Sequence, residues 1–332
     1  MRLRLSNVFG KAPVTVGSVH LALGGTDRAV TFQGQAGVTL PPGEERLSDD
    51  VALTIPNLSE LAISLYFPGD ALLETQHSIG LGKTLVSVPG DFTGVERFDV
   101  ATTAGARPLV TDLEVAGGPG ARALVVLGDS LTDGVGSTPG ANRRWPDALA
   151  ERLLSAPGVP PTAVINEGIA GNRVLHEFLG PSALERLARD VLSKAGARYV
   201  MVLEGLNDFG IPGAFDLAAE EVSAEAVIAG HAEIVRRVHA LGLKAYAGTL
   251  MPFEGAARKG YFTASGEAKR QAVNQWLRTS KAYDAVIDFD ALLRDPAQPT
   301  HLLKAFDSGD HLHPNDAGYK AMAEAVDLAL FR

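Results

Sequence analysis

Two patterns of apolar and polar positions divide the chain. Residues 1 to about 115 carry short alternating runs at 2–5, 14–23, 29–33, 51–55 and 61–67. Turn-forming groups such as Gly24-Gly25, Pro41-Pro42-Gly43, Pro68-Gly69-Asp70 and Pro89-Gly90-Asp91 interrupt them. Alternation sends successive side chains to opposite faces of a strand, and Gly, Pro and Asp suit the bends between strands. The pattern predicts an N-terminal β-sandwich, jelly-roll-like, over 1–115. The stretch 116–120, rich in glycine, then predicts a linker.

From residue 121 the period changes. Continuous apolar runs at 124–127, 163–166, 199–203, 245–249 and 285–289 alternate with helical periods near 146–155, 181–194, 223–241, 264–279 and 315–330. Strands without alternation are strands buried on both faces, so this order predicts a parallel sheet in a three-layer α/β/α domain over 121–332. Pro146, Pro181 and Pro314 fit first helical turns, where a missing N–H is harmless.

Composition narrows the function. The 332 residues, 46% of them hydrophobic, suffice for two cored domains. A net charge of -9 and a pI near 5.4 argue against a basic footprint for nucleic acid. Zero cysteines exclude disulfides, thiolate metal sites and a cysteine nucleophile. No apolar run reaches 18 residues, so no membrane span is expected. The start, Met1-Arg2-Leu3-Arg4-Leu5-Ser6, lacks the apolar core of a signal peptide. That places the chain in the cytoplasm as given, or in a secreted or periplasmic setting if its first residue lies within a longer protein.

Candidate chemistry collects at strand exits, where open α/β sheets bind ligands. The first strand ends in Gly128-Asp129-Ser130, so Ser130 is placed either as a nucleophile or as a turn serine capping the next helix. The second exits through Gly168-Ile169-Ala170-Gly171-Asn172, whose glycines either expose backbone N–H groups to a ligand or serve a turn. The third exits through Gly205 and presents Asn207, a turn former whose side-chain amide can donate to an oxyanion. Near the end, Asp310 and His313 stand three apart, so a carboxylate can orient an imidazole base. Asp307, Asp310, His311 and His313 are alternatively metal donors.

Gly128-Asp129-Ser130-Leu131, Gly171, Gly205-Leu206-Asn207-Asp208 and Asp310-His311-Leu312-His313-Pro314, in that order, resemble the four blocks of the GDSL, or SGNH, hydrolase family. The resemblance covers about residues 121–332 and implies a flavodoxin-like fold and an ester hydrolase without cofactor or metal. It implies Ser130 as nucleophile, His313 as base, Asp310 as its orienting acid, and an oxyanion hole of the Ser130 N–H, the Gly171 N–H and the Asn207 amide. The choice of Gly171 over Gly168 rests on the family alone.

Other residues stay open. Asp129 holds the nucleophile loop or merely ends the strand. Asn172 and Arg173 are candidates to line the substrate pocket. Glu204 is expected to pair with Arg143, Arg144 or Arg173, as a buried ion pair or a substrate contact. Asn142-Arg143-Arg144-Trp145 suggests solvated charges beside a packing Trp, and 252–262 a lid, a substrate wall or a surface loop. The expected substrate is a small-molecule or carbohydrate ester of a short acyl group, acetyl foremost. Lysophospholipase or thioesterase activity, and a non-catalytic carbohydrate-binding protein on this fold, are the alternatives. Oligomeric state is not specified.

Overall fold

In the computed structural model, which describes residues 1–332, the chain divides into two units, Met1–Ala116 and Gly117–Arg332. The first holds β1 (Arg2–Ser6), β2 (Val14–Val16), β3 (Ser18–Leu23), β4 (Thr26–Ala29), β5 (Val38–Leu40) and β6 (Glu45–Leu47). It continues with β7 (Ala62–Tyr66), β8 (Gln76–His77), β9 (Thr84–Ser87), β10 (Val100–Ala104), β11 (Arg107–Pro108) and β12 (Val110–Glu114). All pair antiparallel, in small sheets of order β12-β1-β6, β4-β3-β7, β2-β5, β10-β9 and β11-β8. Period-2 alternation explains the core: Leu3, Leu5, Val14, Val16, Val19, Leu21 and Leu40 turn inward, while Arg2 and Arg4 reach out to Glu114.

Three runs differ from their sequence pattern. The run 14–23 breaks at Gly17, whose N–H bonds the Tyr66 carbonyl at 2.7 Å. The expected strand at 29–33 lies earlier, as β4, because Thr26–Ala29 closes a tight hairpin onto β3. The run 51–55 is irregular, though its buried Val51 exchanges backbone hydrogen bonds with Met1 at 2.7 and 2.9 Å.

In the second unit, β13 (Arg122–Gly128), β14 (Thr162–Gly168), β15 (Ala197–Leu203), β16 (Lys244–Gly248) and β17 (Ala285–Ile287) form one parallel sheet of order β14-β13-β15-β16-β17. The helices are α1 (Ser130–Asp133), α2 (Trp145–Ser155), α3 (Ala183–Arg186, continued by a π turn Leu187–Leu192), α4 (Leu206–Ala214), α5 (Ala224–Ala240), α6 (Ala264–Thr279), α7 (Phe289–Leu293) and α8 (Asp316–Ala325). Adjacent strand residues serve opposite layers. Leu124, Val126, Met201 and Leu203 pack with Trp145, Phe289 and Tyr319. Val125, Leu127, Val200 and Val202 pack with Val191, Ile234 and Val273. The three-layer α/β fold is therefore as expected.

Boundaries shift where side chains cap. Pro181 and Pro314 sit just before the N-caps Ser182 and Asn315, whose side chains accept from Glu185 and Gly318 N–H groups, so neither proline lies in a first turn. The expected strand 285–289 stops at Ile287 because Asp288 caps α7. The helix expected over 315–330 ends at Ala325, and a separate 3-10 turn follows at Leu328–Phe331. The short helix α4 is an addition to the sequence pattern. No helix is long and apolar enough to cross a membrane.

Candidate active site

The nucleophile turn is built on close backbone approach. At Gly128 a Cβ would lie 2.2 Å from Thr132 Oγ1 and 2.8 Å from the Leu203 carbonyl, and at Gly168 one would lie 2.2 Å from the Asp133 N–H nitrogen. Only glycine at both strand ends lets the single turn of α1 lie down over them. Asp129 caps that turn, accepting from the Leu131 N–H at 2.9 Å, which leaves Ser130 as its first residue, 9% exposed.

Ser130 Oγ lies 2.8 Å from His313 Nε2, and His313 Nδ1 lies 2.6 Å from Asp310 Oδ2. A carboxylate at Nδ1 holds the ring proton there and leaves Nε2 as acceptor for the serine hydroxyl. Asp310 is itself fixed, since its Oδ1 accepts the N–H groups of Leu312 at 3.0 Å and His313 at 2.8 Å. Half-burial alone would raise the Asp310 pKa, but the hydrogen bond and charge of His313 outweigh it and hold the carboxyl well below the usual range. The remaining donors of this segment pair separately, His311 Nδ1 with Asp307 Oδ2 at 2.5 Å. No three His, Cys, Asp or Glu side chains gather as a metal site.

Gly171 holds a left-handed φ of 79°, with Leu179 and Phe178 packed beside it. The N–H groups of Ser130 and Gly171 are not spent on a protein acceptor. Asn207, in the first turn of α4, directs Nδ2 at the Asn172 carbonyl (2.9 Å) and Asp129 Oδ2 (3.3 Å), while its Oδ1 accepts from the Tyr261 hydroxyl at 2.7 Å. One chain of contacts thus runs from Asp129, next to Ser130, through Asn207 to Asn172, next to Gly171.

Asn172 and Arg173, expected as candidate pocket lining, are fully buried. Asn172 donates to the Pro181 carbonyl and accepts from Arg186 Nε, and Arg173 pairs with Glu220 at 2.5 Å. They support the loop from within. Glu204 is also fully buried, and its cation is Arg186 at 3.9 Å, not Arg143, Arg144 or Arg173. Arg186 further donates to the carbonyls of Gly128 (3.0 Å) and Glu167 (2.7 Å), joining two strand ends. Of 142–145, Trp145 is wholly buried, Arg143 is exposed, and Arg144 donates to the Asp133 carbonyl at 3.0 Å. Arg186 carried no signal in the sequence, and Tyr261 only as one residue of 252–262, because their partners are distant in the chain.

Three carboxyls are buried beneath the serine. Burial pushes Asp129 up to about 7 and Asp208 up to about 6, and burial with the neighbouring Asp129 raises Glu204 well above its ordinary value. A raised folded-state pKa contributes stability below the unfolded value that is lost as pH climbs through the folded one. His231 opposes this at lower pH, since burial depresses it from 6.5 to about 4, so its contribution fades as pH falls below 6.5. Above pH 6.5 only the carboxyl effect remains. The melting temperature of the protein is expected to fall between pH 6.5 and 8.5, and less so in Glu204→Gln. A wild-type profile that is level over that interval contradicts the assignment.

A sequence-profile comparison matches residues 126–321 to the GDSL-like Lipase/Acylhydrolase family. No curated protein sequence matches the chain. Among solved structures, the chain is similar to a GDSL-like lipase of Bacteroides thetaiotaomicron, with 17% identity, a TM-score of 0.46, and coverage of 63% of this chain and 87% of the other. It is similar to the aryl esterase of M. smegmatis at 17% identity and TM-score 0.48, covering 61% and 95%. A variant of an acetyl-xylooligosaccharide esterase from a Geobacillus gives 21% identity and TM-score 0.46, covering 61% and 91%. With more than half its length matched by the family profile, the chain belongs to the GDSL-like lipase/acylhydrolase family and is an ester-hydrolysing enzyme.

Proposed function

We propose that the protein hydrolyses carboxylic esters of short acyl groups, acetyl esters of carbohydrates among them, through a Ser130-His313-Asp310 triad and an acyl-enzyme. The observation that carries this reading is the unbroken contact path from Asp310 through His313 to Ser130 Oγ, at 2.6 and 2.8 Å. His313 Nε2 takes the hydroxyl proton as Oγ bonds to the ester carbonyl carbon. The carbonyl oxygen gains negative charge and accepts hydrogen bonds from the Ser130 and Gly171 N–H groups and Asn207 Nδ2. The weaker of the two Nδ2 contacts, to Asp129 at 3.3 Å, is the one an oxyanion displaces. The carbon–oxygen bond to the alcohol then breaks, and His313 returns the proton to the departing oxygen. Water, deprotonated by His313, attacks the acyl carbon and frees Ser130.

Hydrolysis of p-nitrophenyl esters from acetate to palmitate, with EDTA present, tests the proposal. Turnover is expected to peak at two to four carbons and to ignore the chelator. A maximum at eight carbons or more would refute the short-acyl reading, and loss of activity in EDTA would refute a metal-free triad.

A further inference from the structure

Residues 252–262 run between the two halves of the site. The Ala257 N–H donates to the Asp310 carbonyl at 2.9 Å, and four residues on, the Tyr261 hydroxyl donates to Asn207 Oδ1 at 2.7 Å. Tyr261 is 5% exposed, and its ring stands edge-on to Phe253 at 6.0 Å between centroids. The ring lies directly against α4. A Cβ at Gly210 would fall 2.5 to 2.6 Å from three of its ring carbons, and one at Gly213 would fall 2.5 Å from the Gly260 carbonyl. Asn207 and Gly210 are three apart on one helix, hence on one face. Glycine weakens a helix interior, and its use here is explained by the ring it admits.

We infer that Tyr261, seated in the notch at Gly210, is a positioning residue that fixes the Asn207 side-chain amide with its N–H groups turned toward the reacting carbonyl. An amide has one acceptor end and one donor end, and with acceptors facing Nδ2 the phenol supplies the donor that Oδ1 needs. Burial raises the Tyr261 pKa well above its ordinary value, so the hydroxyl keeps the proton it donates. On the other side, the Asn172 carbonyl and the Asp129 carboxyl demand donors. All three neighbours select one rotamer, and Tyr261 is the member that acts on Oδ1 without occupying Nδ2.

This inference rests on the oxyanion role proposed for Asn207, and the experiment separates the two. kcat and KM for p-nitrophenyl acetate are measured, per serine titrated with a fluorophosphonate, for wild type, Asn207→Ala, Tyr261→Phe, the double variant and Gly210→Ala. Asn207→Ala is expected to lower kcat by roughly 10²–10³, as for loss of one oxyanion donor. Tyr261→Phe, which keeps the ring, is expected to lower kcat about tenfold with KM nearly unchanged, the size of one net hydrogen bond. The double variant is expected to be no slower than Asn207→Ala, because the phenol has nothing left to orient. Gly210→Ala is expected to mimic Tyr261→Phe although alanine favours helix. A wild-type kcat in Tyr261→Phe, or a full tenfold further loss on the Asn207→Ala background, overturns the positioning role. A wild-type kcat in Asn207→Ala removes the oxyanion assignment and this inference with it.

Discussion

Ser130→Ala is expected to leave the fold intact and to reduce ester hydrolysis by about four to six orders of magnitude. Both halves of that expectation follow from the surroundings of one oxygen atom. Ser130 Oγ has a single side-chain partner, His313 Nε2, and alanine is a better helix former at the first position of α1. The stability change should be about 1 kcal/mol, the net worth of the one hydrogen bond lost. The cap at Asp129 and the glycines beneath are untouched. Without the oxygen no acyl-enzyme forms, and the remaining N–H groups polarise a carbonyl that nothing attacks. His313→Gln should cause a loss of similar order, and combining the two should add little, since the residues act as a unit. Thermal melts with steady-state rates on p-nitrophenyl acetate decide the matter. Residual turnover above about 1% in Ser130→Ala, far more than triad removal leaves, excludes it as the nucleophile.

Arg186→Met should produce the largest loss of stability, on the order of 3–5 kcal/mol, as when one member of a buried ion pair is removed. The guanidinium is fully buried and is spent on the Gly128 and Glu167 carbonyls and the Asn172 side chain. Methionine fills much of the volume but takes a donor from three acceptors, of which the Gly128 carbonyl keeps the Ile169 N–H at 3.0 Å, and it leaves Glu204 without its cation. Glu204 can answer by keeping its proton, and its upward-shifted pKa makes that easier in acid. The deficit should therefore be larger at pH 8 than at pH 5.5. Adding Glu204→Leu should restore part of the stability at pH 8, because the carboxylate that lost its cation is then gone. Urea unfolding at the two pH values measures all three quantities. An Arg186→Met variant as stable as wild type at pH 8 shows that the strand ends do not depend on this cation.

Periodicity in the second unit was legible because burial on both faces writes uninterrupted apolar strands, as in Leu124 to Leu127, and amphipathic helices such as α5. Helix α4 was not, since Gly205, Gly210, Pro212 and Gly213 are breakers by composition and it is buried on nearly all sides instead of amphipathic. In the first unit, β9 and β10 expose most of their residues, so no face supplies an alternation to detect. At the site, residues joined by local chemistry could be read in advance, Asp310 with His313 and Asp129 with Ser130. Glu204 with Arg186 and Asn207 with Tyr261 could not, because tertiary folding alone unites them.

The hydroxyl and the imidazole that meet at 2.8 Å are separated by 183 positions in the chain. On the ribosome, the nucleophile turn and the first strands of the sheet emerge well before any base for them has been synthesised. The segment bearing Asp310 and His313 is then clamped through the helix on its C-terminal side: Tyr319 on α8 donates to the Val135 carbonyl at 2.6 Å, and Arg152 on α2 donates to the carbonyls of Ala323 and Val326. On the proposed triad, hydrolytic power is expected only once α8 has docked. A chain truncated before that helix is then expected to carry an inert serine, with no ester hydrolysis above background.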